Sequence, residues 1–255
     1  MRCRGRILRL FLLSGAVITG CSRPKAPALT VAVAASLQDA MGQLGPVFEQ
    51  LHPGVSLRFD FGGSGMLAQQ IERGAPVDVF LAAASKPMDQ LAAQGLVLDD
   101  TRRDLLRNQI VLIAPAGSTL NSFGGLAASS IKLIALGEPG SVPAGDYGRQ
   151  TLESMGLWHA IEVKLVLAKD VRQVLTYVGT GNADAGIVYA TDVGQSLAVR
   201  IAAIAPETSH APVTYPVAVL KDSRNPSAAR AFVTFLQGPQ AGAAFRRLGF
   251  TTVIP

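Results

Sequence analysis

Cysteine is almost absent from this sequence. Its 255 residues hold only Cys3 and Cys21, which leaves the rest of the chain without a disulfide pair or a C-x-x-C redox or zinc motif. Histidine is as sparse: His52, His159 and His210 stand far apart and form no H-E-x-x-H or close ligand pair. No internal repeat, heptad seam or low-complexity tract is present. A surplus of positive charge is also missing once its position is considered. The formal charge is +5, but Arg2, Arg4, Arg6 and Arg9 crowd the first nine residues, and setting those four aside leaves 19 Lys+Arg against 18 Asp+Glu. A nearly neutral body gives no electrostatic support to nucleic-acid binding.

What is present is apolar. Hydrophobic residues make up 49% of the chain, ample for a core in one large domain or two small ones. The N-terminus has the layout of a secretory signal, with an Arg-rich start, an apolar stretch from Leu10 to Ile18 too short to span a bilayer, then small residues. The run Ile18-Thr19-Gly20-Cys21 resembles the bacterial lipobox, which makes Cys21 the expected lipidated first residue of an exported protein, periplasmic or at the cell surface and anchored to a membrane. An ordinary cleavable signal would instead leave Cys21 incidental. Residues 22–28 are small, polar and Pro-containing, as suits a tether.

From Leu29 onward, strand-like runs alternate with segments of helical period. Leu29–Ala34, Val55–Phe61 and Val77–Ala82 read as strands, separated by a helix carrying Met41, Leu44, Phe48 and Leu51 and by a shorter one over Leu67–Glu72. Gln109–Pro115, Ile131–Leu136, Val163–Leu167, Ala185–Tyr189 and Tyr215–Leu220 continue the strands. Val171, Val174, Leu175 and Val178 mark another helical face. Two helices follow at the end, Ser227–Gln237 and Gln240–Leu248, with Pro226 and Pro239 at their starts. The βαβ alternation predicts an α/β fold with mostly parallel sheets flanked by helices, and the length favours two lobes.

Two strand ends carry candidate site residues. Ser36 and Asp39 have the spacing of an N-cap and a first-turn acid, which is a complete structural explanation, although a helix N-terminus also favours a bound anion. Gly62-Gly63-Ser64-Gly65 leads into the next helix; it is either a flexible turn or a place where backbone approaches a ligand and Ser64 donates to it. Later come Gly137–Gly145 as a Pro/Gly turn before a helix, Asp170 as an N-cap, and a buried strand ending in Tyr189.

The order of these segments is more specific than any one of them. AASL at 34–37, GAPVDVFLAA at 74–83, VPAGDYG at 142–148, DVR at 170–172, GIVYATD at 186–192, YPVAV at 215–219, GPQAGAAF at 238–245 and the terminal GF resemble the periplasmic molybdate-binding proteins of ABC transporters. The resemblance covers residues 29–255 and implies a two-lobed periplasmic-binding-protein fold. It also implies a site without counter-charges for molybdate or tungstate, in which Ser36 and Ser64 of the first lobe face the backbone amides of Ala144 and Val171 and the hydroxyl of Tyr189 of the second. The glycines flanking Ser64 depart from the run of hydroxyl residues that relatives often have there. By the same resemblance the chain is no enzyme, carries no cofactor and no direct metal-cation site, binds no nucleic acid, is a monomer, and serves an inner-membrane permease and its ATPase. The expected division is a signal over 1–20, a tether over 21–28, a first lobe of 29–112 and 216–255, and a second lobe of 113–215.

Other readings stay open on sequence alone. Gly62–Met66 resembles a hydrolase nucleophile elbow but lacks the final glycine of G-x-S-x-G. A binding protein for another tetrahedral oxyanion such as sulfate would share the architecture, and so would a tethered sensor.

Overall fold

The computed structural model describes residues 28–194 and 196–253. Cys21, the signal segment and all of the tether but Ala28 lie outside the described residues. In chain order the elements are β1 (Ala28–Ala34), α1 (Gln38–Leu51), β2 (Ser56–Gly62), α2 (Ser64–Glu72), β3 (Val79–Leu81), α3 (Ser85–Ala93) and β4 (Arg103–Arg107). They continue with β5 (Ile110–Pro115), β6 (Ile134–Gly137), α4 (Pro143–Ser154), α5 (Trp158–Ile161), β7 (Leu165–Ala168), α6 (Val171–Gly179), β8 (Ala185–Tyr189), α7 (Ala190–Val193) and β9 (Val199–Ile204). The chain ends with β10 (Thr214–Val219), α8 (Pro226–Leu236), α9 (Pro239–Arg247) and β11 (Thr251–Thr252).

Two sheets result, one in each lobe. The first runs β11-β4-β10-β3-β1-β2 and the second β7-β6-β8-β5-β9. Each holds a parallel trio, β3-β1-β2 and β7-β6-β8, made by βαβ units. Strands that enter after a crossing between lobes, β10 in the first sheet and β5 in the second, pair antiparallel with that trio, so both sheets are mixed. The crossings fall between Arg107 and Ile110 and between Ile204 and Thr214. The boundaries expected from sequence, at 112/113 and 215/216, differ from these: the first would divide β5, all of which lies in the second sheet, and the second would cut Thr214 and Tyr215 from β10. A continuous apolar run does not reveal which sheet it joins.

Burial explains the main elements. β1 lies between β3 and β2, and Val31, Ala32 and Val33 are all buried, as expected of a central strand covered on both faces. β2 closes one edge with Arg58 and Asp60 alternating against Leu57, Phe59 and Phe61, a pattern that discourages edge pairing. Met41, Leu44 and Phe48 bury the face of α1, and Phe48 meets Phe232 of α8 edge-on at 5.0 Å between ring centroids. Burying one such ring is worth about 1.5–3 kcal/mol, and this contact returns the C-terminal helices to the first lobe. Leu51, assigned to the same face by its spacing, is instead 56% exposed at the end of α1. Pro226 and Pro239 occupy first-turn positions of α8 and α9, where the missing N–H costs nothing.

Candidate functional site

The five residues singled out from the sequence meet in one place. Ser36, Ser64, Ala144, Val171 and Tyr189 all line a cavity with about 10 Å³ of room for a water's centre, together with Gly63, Ala83, Val142 and Asp170. All five are buried. Larger clefts of about 1040 and 490 Å³ open elsewhere along the lobe boundary but contain none of them. The small cavity is the candidate site for an ion, because an ion stripped of water needs a close wall of donors rather than volume. Organic ligands of drug size occupy pockets of ~300–1000 Å³.

Helix geometry supplies that wall. α2, α4 and α6 all begin at the cavity, bringing Ser64, Pro143 with Ala144, and Val171 into its lining. The first N–H groups of a helix have no intrahelical acceptor, and the positive end of the dipole points the same way. The backbone N–H groups of Ala144 and Val171 have no acceptor among the described residues. Asp170 caps α6 as expected, its Oδ1 accepting from the Gln173 N–H at 2.9 Å. It is the one charged residue in the lining. Among the described residues no cationic side chain lines the cavity, so the donors they bring there are neutral amides and hydroxyls.

Ser36 differs from expectation. It lies inside a 3-10 turn, Ala35–Leu37, that precedes α1, and no side-chain cap forms at either start. Its Oγ instead meets the hydroxyl of Tyr215 at 3.1 Å, 179 positions away in the chain. Asp39 does sit in the first turn of α1, and its carboxylate also takes the guanidinium of Arg172 at 2.7 Å. Ser64 Oγ accepts the Ala83 N–H at 3.0 Å, and Tyr189 donates from its hydroxyl to Ala83 O at 3.3 Å. Neither serine contacts a histidine or a carboxylate. His52 stacks on Phe48, His159 lies beside Glu162 and His210 bonds Ala211 O. The nucleophile–base pair that a serine hydrolase needs is therefore not assembled here.

The lobes touch across the cavity. Gly65 N–H donates to Ser141 O at 2.9 Å, and Arg172, the last residue of the DVR motif, reaches from α6 to Asp39 and to Ala35 O at 3.3 Å. The glycines beside Ser64 gain their explanation here. A Cβ on Gly63 would sit 2.8 Å from Ser141 O and 3.0 Å from Lys169 O, so the bare backbone is needed against the opposite lobe.

Asp192 is a residue that sequence reasoning missed. It is buried, with Oδ2 accepting the Tyr189 N–H at 3.0 Å, Oδ1 unpaired and Arg172 Nε 4.0 Å away. Burial pushes its carboxyl up to about 7 despite the downward pull of Arg172 and of the Tyr189 N–H. Between the ordinary carboxylate range and pH 7 the folded chain holds a proton that the unfolded chain has released, so stability from this group falls as pH rises through that window. Asp192→Asn keeps an acceptor for Tyr189 N–H and is expected to raise the melting temperature above about pH 7, by the equivalent of at most about 4 kcal/mol, with little effect near pH 4. Thermal melts across pH check this; a gain of the same size at every pH would refute the assignment of the burial cost to ionisation.

Residues 29–251 match the family of bacterial extracellular solute-binding proteins. The chain belongs to that family. Its members bind solutes rather than transform them. A putative ABC transporter substrate-binding lipoprotein of Bacillus subtilis, YvgL, is 39% identical over 253 residues, covering 96% of this chain and 95% of that one. The molybdate-binding protein ModA of Escherichia coli is 38% identical over 229 residues, 88% of each chain. Among solved structures, the periplasmic molybdate-binding protein of Azotobacter vinelandii superposes with a TM-score of 0.79 at 26% identity, covering 88% of this solute-binding protein and 98% of its own chain. The two-lobed α/β architecture is shared with that structure.

Proposed function

We propose that this protein captures molybdate between its lobes, and tungstate with it, and delivers the ion to a membrane permease and its ATPase. The observation that carries the reading is the convergence of neutral donors from both lobes, on three helix N-termini, at one buried cavity without a lining cation. Such a wall suits a small dianion whose every oxygen accepts. The names of the relatives at 38–39% identity support the choice of molybdate and of an ABC importer. In this reading Ser36 and Ser64 donate through their hydroxyls, Tyr189 does so by turning its proton from Ala83 O to the ion, and Ala144 and Val171 donate through backbone N–H. Residues 108–109 and 205–213 carry the hinge between a first lobe built on the β1 sheet and a second built on the β6 sheet.

Isothermal titration of the soluble chain with molybdate tests this. Ser36→Ala and Tyr189→Phe each remove one donor from a dry site and are expected to cost about 1–3 kcal/mol, roughly a 5- to 150-fold drop in affinity, with the unliganded fold retained. Wild-type affinity in both variants would mean that the ion binds elsewhere.

Anchoring is the second part of the proposal. The lipobox-like run ending in Cys21 and the lipoprotein name of the Bacillus relative support export and attachment to a membrane. Cys21→Ser is expected to abolish fatty-acid labelling in cells. Unchanged labelling would remove the anchor.

A further inference from the structure

A hydroxyl can accept as readily as it donates, so a site that selects an unprotonated anion must fix which way its serines point. For Ser36 the determinant lies two residues back along a hydrogen-bond chain. Asn108 stands between β4 and β5 at the first crossing of the lobes. Its Oδ1 accepts the N–H of Gln109 at 2.9 Å. Its Nδ2 therefore faces the other way and donates to Thr191 Oγ1 at 2.8 Å and to the hydroxyl of Tyr215 at 3.1 Å. A flipped amide would set Nδ2 against the Gln109 N–H, donor against donor.

Tyr215 has one hydroxyl proton. With Asn108 donating to its oxygen, that proton goes to its remaining partner among the described residues, Ser36 Oγ at 3.1 Å. Burial holds the phenol well above its ordinary range, so it keeps the proton throughout physiological pH. Ser36 then accepts from Tyr215, and its own proton is left for the cavity. Ser64 is arranged alike, since the Ala83 N–H fills one acceptor position of its Oγ.

We propose that Asn108 and Tyr215 are positioning residues of the oxyanion site: they fix the direction of a hydrogen-bond chain that makes Ser36 a donor, and thereby select anions that carry no proton. The inference rests on the oxyanion-binding reading of the cavity. Neither residue lines the cavity itself. Asn108 also joins the lobes through Thr191 of α7 and Tyr215 of β10, so the donor direction is set where the chain bends.

The decisive variant is Asn108→Asp. It keeps the acceptor for Gln109 N–H but replaces the amide donor with a second acceptor, so Tyr215 turns its proton to residue 108 and Ser36 turns its proton to Tyr215. A lone pair of Ser36 then faces the cavity. The measurement is competition between molybdate and hydrogen phosphate at mildly alkaline pH, where both are dianions and the new carboxylate repels them equally. The wild-type preference for molybdate is expected to fall roughly tenfold or more in Asn108→Asp. Tyr215→Phe, which keeps the buried ring and removes the relay, is expected to lower the same ratio. A ratio unchanged in both variants would overturn the relay even if both affinities drop, because a structural role would weaken the two anions together. A wild-type protein that binds neither anion would overturn the oxyanion reading itself, and the relay with it.

Discussion

Gly65→Val is expected to lower molybdate affinity by roughly a hundredfold or more, ~3 kcal/mol, while the unliganded chain stays folded. Gly65 opens α2 beside Ser64, and a Cβ there would sit 2.7 Å from Gly140 O and 2.9 Å from Ser141 Cα and O. Those are backbone atoms of the opposite lobe, in the turn that leads into α4, and they cannot swing aside as a side chain does. The lobes must part instead, losing the Gly65 N–H bond to Ser141 O and moving Ala144 and Val171 away from Ser36 and Ser64. The three atoms nearest to that Cβ all belong to the opposite lobe, so the cost falls first on the closed state. A ligand that bridges both lobes binds only as well as that state is populated. Small-angle scattering provides the second readout: molybdate should contract the wild type and leave Gly65→Val unchanged. Gly42→Val serves as the control, since a Cβ there meets nothing within 4 Å. Wild-type affinity and contraction in Gly65→Val would show that closure does not depend on this contact.

This glycine also shows what was legible in the sequence. Local periodicity identified the βαβ alternation, because a strand buried on both faces and a helix buried on one leave different patterns of apolar residues. The five proposed ligand-contacting residues could be named because they sit in short motifs whose order resembles a family, and all five do line one cavity. The strands β4 and β9 went unnoticed. Arg103-Asp104-Leu105-Leu106-Arg107 is too polar to read as a strand, and β9 is half-exposed along most of its length; both are recruited by antiparallel pairing with partners distant in sequence.

The same limit hid most of the site's supporting shell. Ser36 was read as an N-cap because spacing reports only local partners, whereas its hydroxyl partner is Tyr215. Tyr215 was recognisable only as the start of a strand, and Asn108 gave no signal at all. Gly63 and Gly65 were visible as conformationally free residues facing a ligand. Their role against the backbone of the other lobe needed the second lobe to be in place. Asp192 belonged to a quoted motif, but its burial and its unpaired Oδ1 follow from packing that no spacing encodes.

Molybdate and tungstate are expected to bind with similar affinity, each far more tightly than sulfate, and hydrogen phosphate is expected to bind weakest. Among the described residues the lining is one of N–H and O–H donors apart from Asp170, whose Oδ1 caps α6 by accepting from the Gln173 N–H, so an anion that carries a proton is short of acceptors for it. Burying that proton unpaired costs about 1–3 kcal/mol, and setting it against a serine proton fixed towards the cavity adds repulsion to the lost bond. Sulfate escapes this penalty because it is unprotonated, so it must be discriminated by size. Its bonds are shorter than metal–oxygen bonds, and donors mounted on two lobes can follow a smaller ion only until the lobes collide. Gly63 and Gly65 already pack against Ser141, leaving little further travel, so the bonds to sulfate stretch and weaken. Molybdate and tungstate share charge and shape and differ little in size, which gives this wall no means of separating them. Competition titrations at one pH and one salt concentration check the order. Sulfate binding as tightly as molybdate would remove the size argument and reassign the ligand, while phosphate binding as tightly as sulfate would show that the cavity holds an acceptor for the proton.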